Sequence, residues 1–150
     1  MSDTHSLLAL AAERAASTHQ PIAGAVLPSE AMVLLQELPE AVLVDVRTRA
    51  ELDWVGFVPG ALHVEWQGYP GGAVNNAFLQ QLQAEVKPDQ PVFFLCRSGG
   101  RSQAAATLAA QAGFTRAFNV LQGFEGDRDG EGHRNTLGGW RAAGLPWKQA

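Results

Sequence analysis

The sequence predicts an α/β fold of three layers, with a central parallel sheet flanked by helices. Three continuous apolar runs carry the prediction: Val42–Val46, Pro91–Leu95 and Ala117–Leu121. Runs without polar alternation suit strands buried on both faces, as parallel strands covered by helices are. Stretches of helical character lie between them, at 49–54, 75–86 and 99–112, and that alternation marks a parallel sheet. The chain has 150 residues, 46% of them hydrophobic, which suits one domain with one sizeable core.

Residues 5–18 are rich in Ala and Leu, with Glu13, Arg14 and Ser17 for a polar face, and read as a short amphipathic helix on the outside of the domain. Pro21 stops it, so residues 1–20 are expected as an N-terminal helical extension and 21–150 as the domain proper. Gly24–Leu27 is a candidate edge strand. Pro28-Ser29-Glu30 opens a helix through Leu38, and Pro39 breaks it. Asp45 interrupts the first apolar run, where an unpaired carboxylate is costly, so it is assigned a structural hydrogen bond or ion pair. Arg47 and Glu51 are spaced for an i,i+4 contact on a helical turn, which accounts for both. These three stay outside the catalytic set. Ala61–Trp66 supplies one more short strand. Beyond Leu121 the chain changes character: Glu125–Thr136 is glycine-rich and charged, hence a loop. A short helix is expected over Leu137–Ala143, ended by Gly144, with Pro146-Trp147 closing the domain. Neither an internal repeat nor a low-complexity linker divides the chain.

Composition removes several function classes. Lys and Arg total 11 against 15 Asp and Glu, for a net charge of -4. Nucleic-acid binding needs a concentrated basic surface, and attraction to an anionic membrane needs basic clusters. Any anion must be caught by a local site. A single cysteine cannot form an intramolecular disulfide. Leu7–Leu10 is too short for a membrane span and lacks the basic flank of a signal peptide, so a soluble, cytoplasmic protein is expected. His5, His19, His63 and His133 have no paired spacing that would suggest a metal. Trp54, Trp66 and Trp140 lack the interleaved basic residues of a nucleic-acid platform and are expected in the core or in a pocket wall. Glu125-Gly126-Asp127-Arg128-Asp129-Gly130 opens like a calcium loop, but its twelfth position is Thr136 where a bidentate glutamate is required. It reads as a solvated loop bordering the active site.

The chemistry lies in Cys96-Arg97-Ser98-Gly99-Gly100-Arg101-Ser102. A buried strand delivers Cys96 to its carboxyl end, where ligands bind in open parallel sheets. A short loop follows, then an alanine-rich helix that Gly113 caps. Backbone N–H groups at a helix N-terminus form an anion-binding concavity, and Gly99 and Gly100 can take the positive φ needed to curl around a bound atom. Arg97 and Arg101 add positive charge. Such surroundings favour a thiolate, bringing cysteine pKa values from ~8.5 to roughly 3.5–7.5. The alternative is a small buried thiol with a core role. An inert core thiol has no use for two arginines and two glycines beside it.

This segment resembles the active-site loop of rhodanese-like sulfurtransferases, Cys-Arg-x-Gly-x-Arg followed by Ser; Cys96, Arg97, Gly99, Arg101 and Ser102 match it. Asp45-Val46-Arg47 with Glu51 resembles a first family signature, and Gly56-Phe57-Val58-Pro59-Gly60-Ala61 a second, with Phe57 in place of the usual histidine. Leu121-Gln122-Gly123-Phe124 resembles the turn after the last strand, where a second glycine is commoner than Phe124. The likeness spans roughly 24–147. It implies a three-layer rhodanese-like fold, Cys96 as nucleophile, and a substrate cradle of Arg97, Ser98, Gly99, Gly100, Arg101 and Ser102. It further implies a sulfane-sulfur donor such as thiosulfate, an external thiol, cyanide or protein acceptor, and no metal or organic cofactor. Three rival readings stay open. A cysteine phosphatase loop has five residues between cysteine and arginine, whereas four lie between Cys96 and Arg101. An arsenate reductase would need external reductants. A non-catalytic regulatory module typically loses the cysteine or the loop charges, and both are present.

Overall fold

A computed structural model describes residues 4–150. Its elements run α1 (Thr4–Ser17), β1 (Gly24–Val26), α2 (Pro28–Glu37), β2 (Val42–Asp45), α3 (Arg49–Trp54), β3 (Leu62–His63), α4 (Phe78–Glu85), β4 (Val92–Leu95), α5 (Gly100–Gln111) and β5 (Ala117–Val120). The five strands form one parallel sheet in the order β1-β5-β4-β2-β3. The α/β architecture is as the apolar runs predict.

Strand pleating divides the core. Val44, Phe94 and Cys96 face α4 and α5, packing on Phe78, Leu82, Ala105 and Ala109. Leu43, Phe93, Leu95 and Phe118 face α1 and α2, packing on Ala11, Ala31 and Leu34. Side chains that alternate along β2 and β4 therefore feed two apolar layers, and this is why those strands read as unbroken hydrophobic runs. Helix α1 lies against the sheet edge: a Cβ on Gly24 would stand 2.7 Å from that of Ala11. Arg14 holds the helix in place, pairing with Glu30 at 2.6 and 3.0 Å and donating to the Ala25 carbonyl.

Two expectations fail. Residues 137–143 form bends and a turn, not a helix. Gly139 has φ +111°, outside helical space, and the Trp140 and Arg141 amides donate to the Gly123 and Phe124 carbonyls. The segment is recruited to brace the turn after β5. Arg47 and Glu51 do not meet either. Thr48 is the N-cap of α3, so Arg47 precedes the helix and the i,i+4 geometry never arises. Arg47 instead clasps Asp45, with Nε 3.0 Å and Nη2 2.7 Å from the carboxylate, and Nη2 also donates to the Gly56 carbonyl. The ion-pair role predicted for Asp45 is present, with a partner two residues away.

The tryptophans separate by position. Trp140 is wholly buried, Trp66 packs edge-on to Phe78 at the core margin, and Trp54 is 72% exposed. No described helix is long and apolar enough to cross a membrane.

Candidate active site

β4 ends at Leu95 and places Cys96 at the carboxyl edge of the sheet, in the floor of the loop that leads into α5. Its sulfur is buried, with the residue 1% exposed. The Gly99 N–H donates to Sγ at 3.1 Å, and the Ser102 hydroxyl lies 3.2 Å from it. Gly99 is the N-cap of α5 with φ +116°, a conformation that favours glycine. It turns the chain so that its own amide faces the sulfur. The next amides, of Gly100, Arg101 and Ser102, lie in the first turn of α5 and have no intrahelical carbonyl to bond. The sulfur thus sits at the positive end of a helix. Gly100 differs from expectation: it has no positive φ, and a Cβ there would meet nothing within 4 Å. Only Gly99 performs the curl predicted for both.

The turn after β5 supports this loop from beneath. Phe124 N–H donates to the Cys96 carbonyl at 2.8 Å, and Glu125 N–H to the Arg97 carbonyl at 3.0 Å. Gly123 allows the approach, because a Cβ there would lie 2.5 Å from the Cys96 carbonyl oxygen. Phe124 has its own use: its buried ring lies 4.1 Å from the Arg47 guanidinium carbon. An aromatic at this position carries a buried cation that the glycine it replaces could not.

The two loop arginines have different fates. Arg101 is claimed by Glu51, with Nη1–Oε1 at 2.7 Å and Nη2–Oε2 at 2.9 Å. Burial pushes the Glu51 carboxyl up, but hydrogen bonds from Arg101 and Thr48 and the Arg101 charge outweigh it and hold the group at about 2. Arg97 is exposed, with no side-chain partner among the described residues. Both arginines line a cleft of about 520 Å³ with Thr48, Glu51, Trp54 and Tyr69. Trp54 and the 62%-exposed Tyr69 meet edge to face at 5.8 Å on its rim. Ser98 lines a second, polar cleft with Asp127, Arg128 and Arg134, so the 125–136 loop does border the cysteine loop. Asp129 organises that loop, accepting from the amides of Glu131 and His133 and from the Thr136 hydroxyl. A third cleft, about 540 Å³ at Arg49, His63, Glu65 and Glu85, holds no residue of the cysteine loop.

Two contributors escape the sequence reading of the site. Glu51 reads from the sequence as an i,i+4 partner for Arg47 and as part of a family signature, since Arg101, which it pairs with, lies fifty residues away. Asn119 is a lone amide in an apolar strand, the same signal that singles out Asp45 in β2. It accepts the Ser102 hydroxyl at 2.6 Å.

A cysteine at the end of a parallel strand, cupped by the first turn of a helix, defines a thiol-based anion site on a three-layer α/β scaffold. The family model for the rhodanese-like domain matches residues 28–128, and the chain belongs to that family. A crystal structure of a protein from M. tuberculosis is 46% identical, covers 84% of this chain and 97% of its own, and superposes with a TM-score of 0.78. An uncharacterised protein of Rickettsia prowazekii is 36% identical over 72% of this chain and 83% of its own length. A chloroplastic thiosulfate sulfurtransferase of Arabidopsis thaliana is 31% identical over 69% of this chain and 77% of its own.

Proposed function

We propose that this protein is a sulfurtransferase that carries sulfane sulfur as a persulfide on Cys96, taking it from a donor such as thiosulfate. The observation that carries the reading is the Gly99 N–H directed at Sγ from the start of α5, with the free amides of the first turn beyond it. In the first half-reaction the Cys96 thiolate attacks the sulfane sulfur. A new S–S bond forms, the donor's S–S bond breaks, and its electron pair leaves with sulfite. The outer sulfur of the persulfide, one S–S bond of ~2.05 Å further out, then meets the amides of the helix start. In the second half-reaction a thiolate, or cyanide, attacks that outer sulfur and the bonding pair returns to Cys96. The order is ping-pong, with a covalent intermediate.

The chain has one cysteine, so no second thiol in it can resolve the persulfide. The acceptor comes from outside, as a small thiol, cyanide or the cysteine of a protein, and a reducing cytoplasm supplies such thiols. The cleft that Arg97 and Arg101 of the cysteine loop share with Trp54 and Tyr69 is the approach we assign to it. The name of the Arabidopsis relative supports thiosulfate as donor. Intact mass after incubation with thiosulfate tests the reading. A gain of one sulfur atom, lost in Cys96→Ser and on adding cyanide, is expected. An unchanged mass would assign the domain to binding or regulation.

A further inference from the structure

Asn119 sits within β5 and is 3% exposed. Its Nδ2 donates to the Gly99 carbonyl at 3.4 Å and to Gln103 Oε1 at 3.3 Å, and its Oδ1 accepts from Ser102 at 2.6 Å. Gln103 Nε2 donates onward to Thr107, which leaves Oε1 as the acceptor and fixes the direction of the Asn119 amide. The Ser102 hydroxyl is fully buried and has one proton for three acceptors: Asn119 Oδ1 at 2.6 Å, the Gly99 carbonyl at 3.1 Å and Cys96 Sγ at 3.2 Å. A bond of 2.6 Å is at the short end of the O–H···O range, and a neutral sulfur is a weak acceptor. With Cys96 as thiol, the proton lies on the Asn119 side and Ser102 turns a lone pair to the S–H. Once the sulfur ionises it becomes a charged acceptor, whose hydrogen bonds are about twice as strong as neutral ones. The proton is then contested.

We propose that Asn119 is a positioning residue that acts on Cys96 through Ser102: its amide oxygen competes for the Ser102 proton and withholds one hydrogen bond from the sulfur anion. Withholding that bond raises the nucleophilicity of the anion, since donation to a charged form stabilises it and a more stable thiolate is a weaker nucleophile. The remaining charged groups around the sulfur are few. From α5 there is Arg101, held by Glu51 of α3 and also within the field of Asp45. Arg97 lies on the exposed side of the loop and Glu125 on the turn beneath it; β4 and β5 carry no ionisable residue. None of these touches Asn119, so a change there reaches the sulfur through Ser102 or through the Gly99 backbone that Nδ2 also holds, and a Ser102→Ala background separates the two.

The proposal rests on Cys96 as the sulfur carrier, but its test uses no sulfur donor, so the two readings can fail separately. Iodoacetamide alkylation followed against pH reports the ionised sulfur, which displaces iodide to form an S–C bond. Asn119→Leu removes the competing oxygen at similar volume. Its profile should move to lower pH by roughly half a unit or more, about threefold more ionised sulfur on the acid limb; because the plateau rate falls with the basicity of the anion, the rate there rises roughly twofold. In a Ser102→Ala background the same substitution should shift nothing. Asn119→Asp, a stronger acceptor in the same place, should move the profile to higher pH, and by less once Ser102 is alanine. An unmoved profile in Asn119→Leu, or an equal shift with and without Ser102, would overturn the proposal. Where Asn119→Leu does not fold, Asn119→Asp decides alone: a fall, no change, or a rise independent of Ser102 overturns it.

Discussion

Gly123 and Gly100 show how differently two glycines of one site are constrained. Gly123 has φ +63°, and the Cβ of an alanine would press on the Cys96 and Arg97 backbone at 2.5–2.6 Å. Those atoms are main chain and cannot swing aside, so Gly123→Ala should displace the cysteine loop. The expected cost is about 1–3 kcal/mol in urea unfolding, together with a marked loss of sulfur loading. Gly100→Ala meets open space at an ordinary helical φ, and should leave stability unchanged or raise it by about 0.4–1 kcal/mol. Equal losses at the two positions would show that the loop is held by something other than close backbone approach. Arg97 is the loop cation without a side-chain partner among the described residues, so it is the one open to a dianion. Arg97→Ala should raise KM for thiosulfate about two- to fivefold, the worth of an exposed charge contact, and flatten the salt dependence of kcat/KM. Identical constants for variant and wild type at low and high salt would remove Arg97 from donor binding.

At the scale of elements, the site is a junction of α3, α5 and the turn after β5, each fixed by a different device. The Glu51–Arg101 pair ties the first turn of α3 to the first turn of α5. Glu51 titrates at about 2 when folded, below the ordinary ~4.3 of an unfolded chain. The tie therefore contributes fully above about pH 4.5 and is lost as pH falls toward 2. Glu51→Gln should make stability less steep across that window, and superimposable acid profiles would show that the tie contributes nothing. One residue inserted between Gly100 and Arg101 should break the register of the tie and misplace the first-turn amides, lowering sulfur transfer by about 10²–10³, the usual cost of a lost anion donor. Unchanged kinetics would mean that the loop is not fitted to its anion. These elements were legible to different degrees. β2, β4, β5 and α5 announce themselves because apolar runs and an alanine-rich face answer to burial alone. The bends and turn at 137–143 do not, because what unmakes a helix there is the demand of the Gly123 and Phe124 carbonyls for donors. Local periodicity carries no trace of that demand. The same holds for Glu51: its i,i+4 spacing from Arg47 is visible, its distant arginine is not.

Across the whole molecule, the sheet divides two apolar layers and gathers its few buried charges at one end. Asp45 and Arg47 lie at the carboxyl edge beside Cys96, both 1% exposed or less. Arg47 joins three parts of the fold there: the end of β2, the Gly56 carbonyl and the ring of Phe124. One guanidinium nitrogen, Nη1, has no hydrogen-bond partner among the described residues, so the cation depends heavily on Asp45 and Phe124. Sequence alone shows that Asp45 needs a partner; the bend that turns Arg47 back onto it is a tertiary feature. Breaking such a pair leaves an uncompensated buried charge, which costs about 3–5 kcal/mol. Against a total stability of roughly 5–15 kcal/mol, Asp45→Ala should lower Tm by roughly 6–20 °C. Replacing both partners removes the charge and the need to desolvate it, so Asp45→Ala with Arg47→Met should be less destabilised than Asp45→Ala alone. Thermal unfolding of Asp45→Ala, Arg47→Met and the double variant beside wild type separates a charge effect from a packing effect. A double variant that loses at least the sum of its single losses would show that the pair matters for the space it fills. Recovery in the double variant would show that the fold pays chiefly for the lone cation.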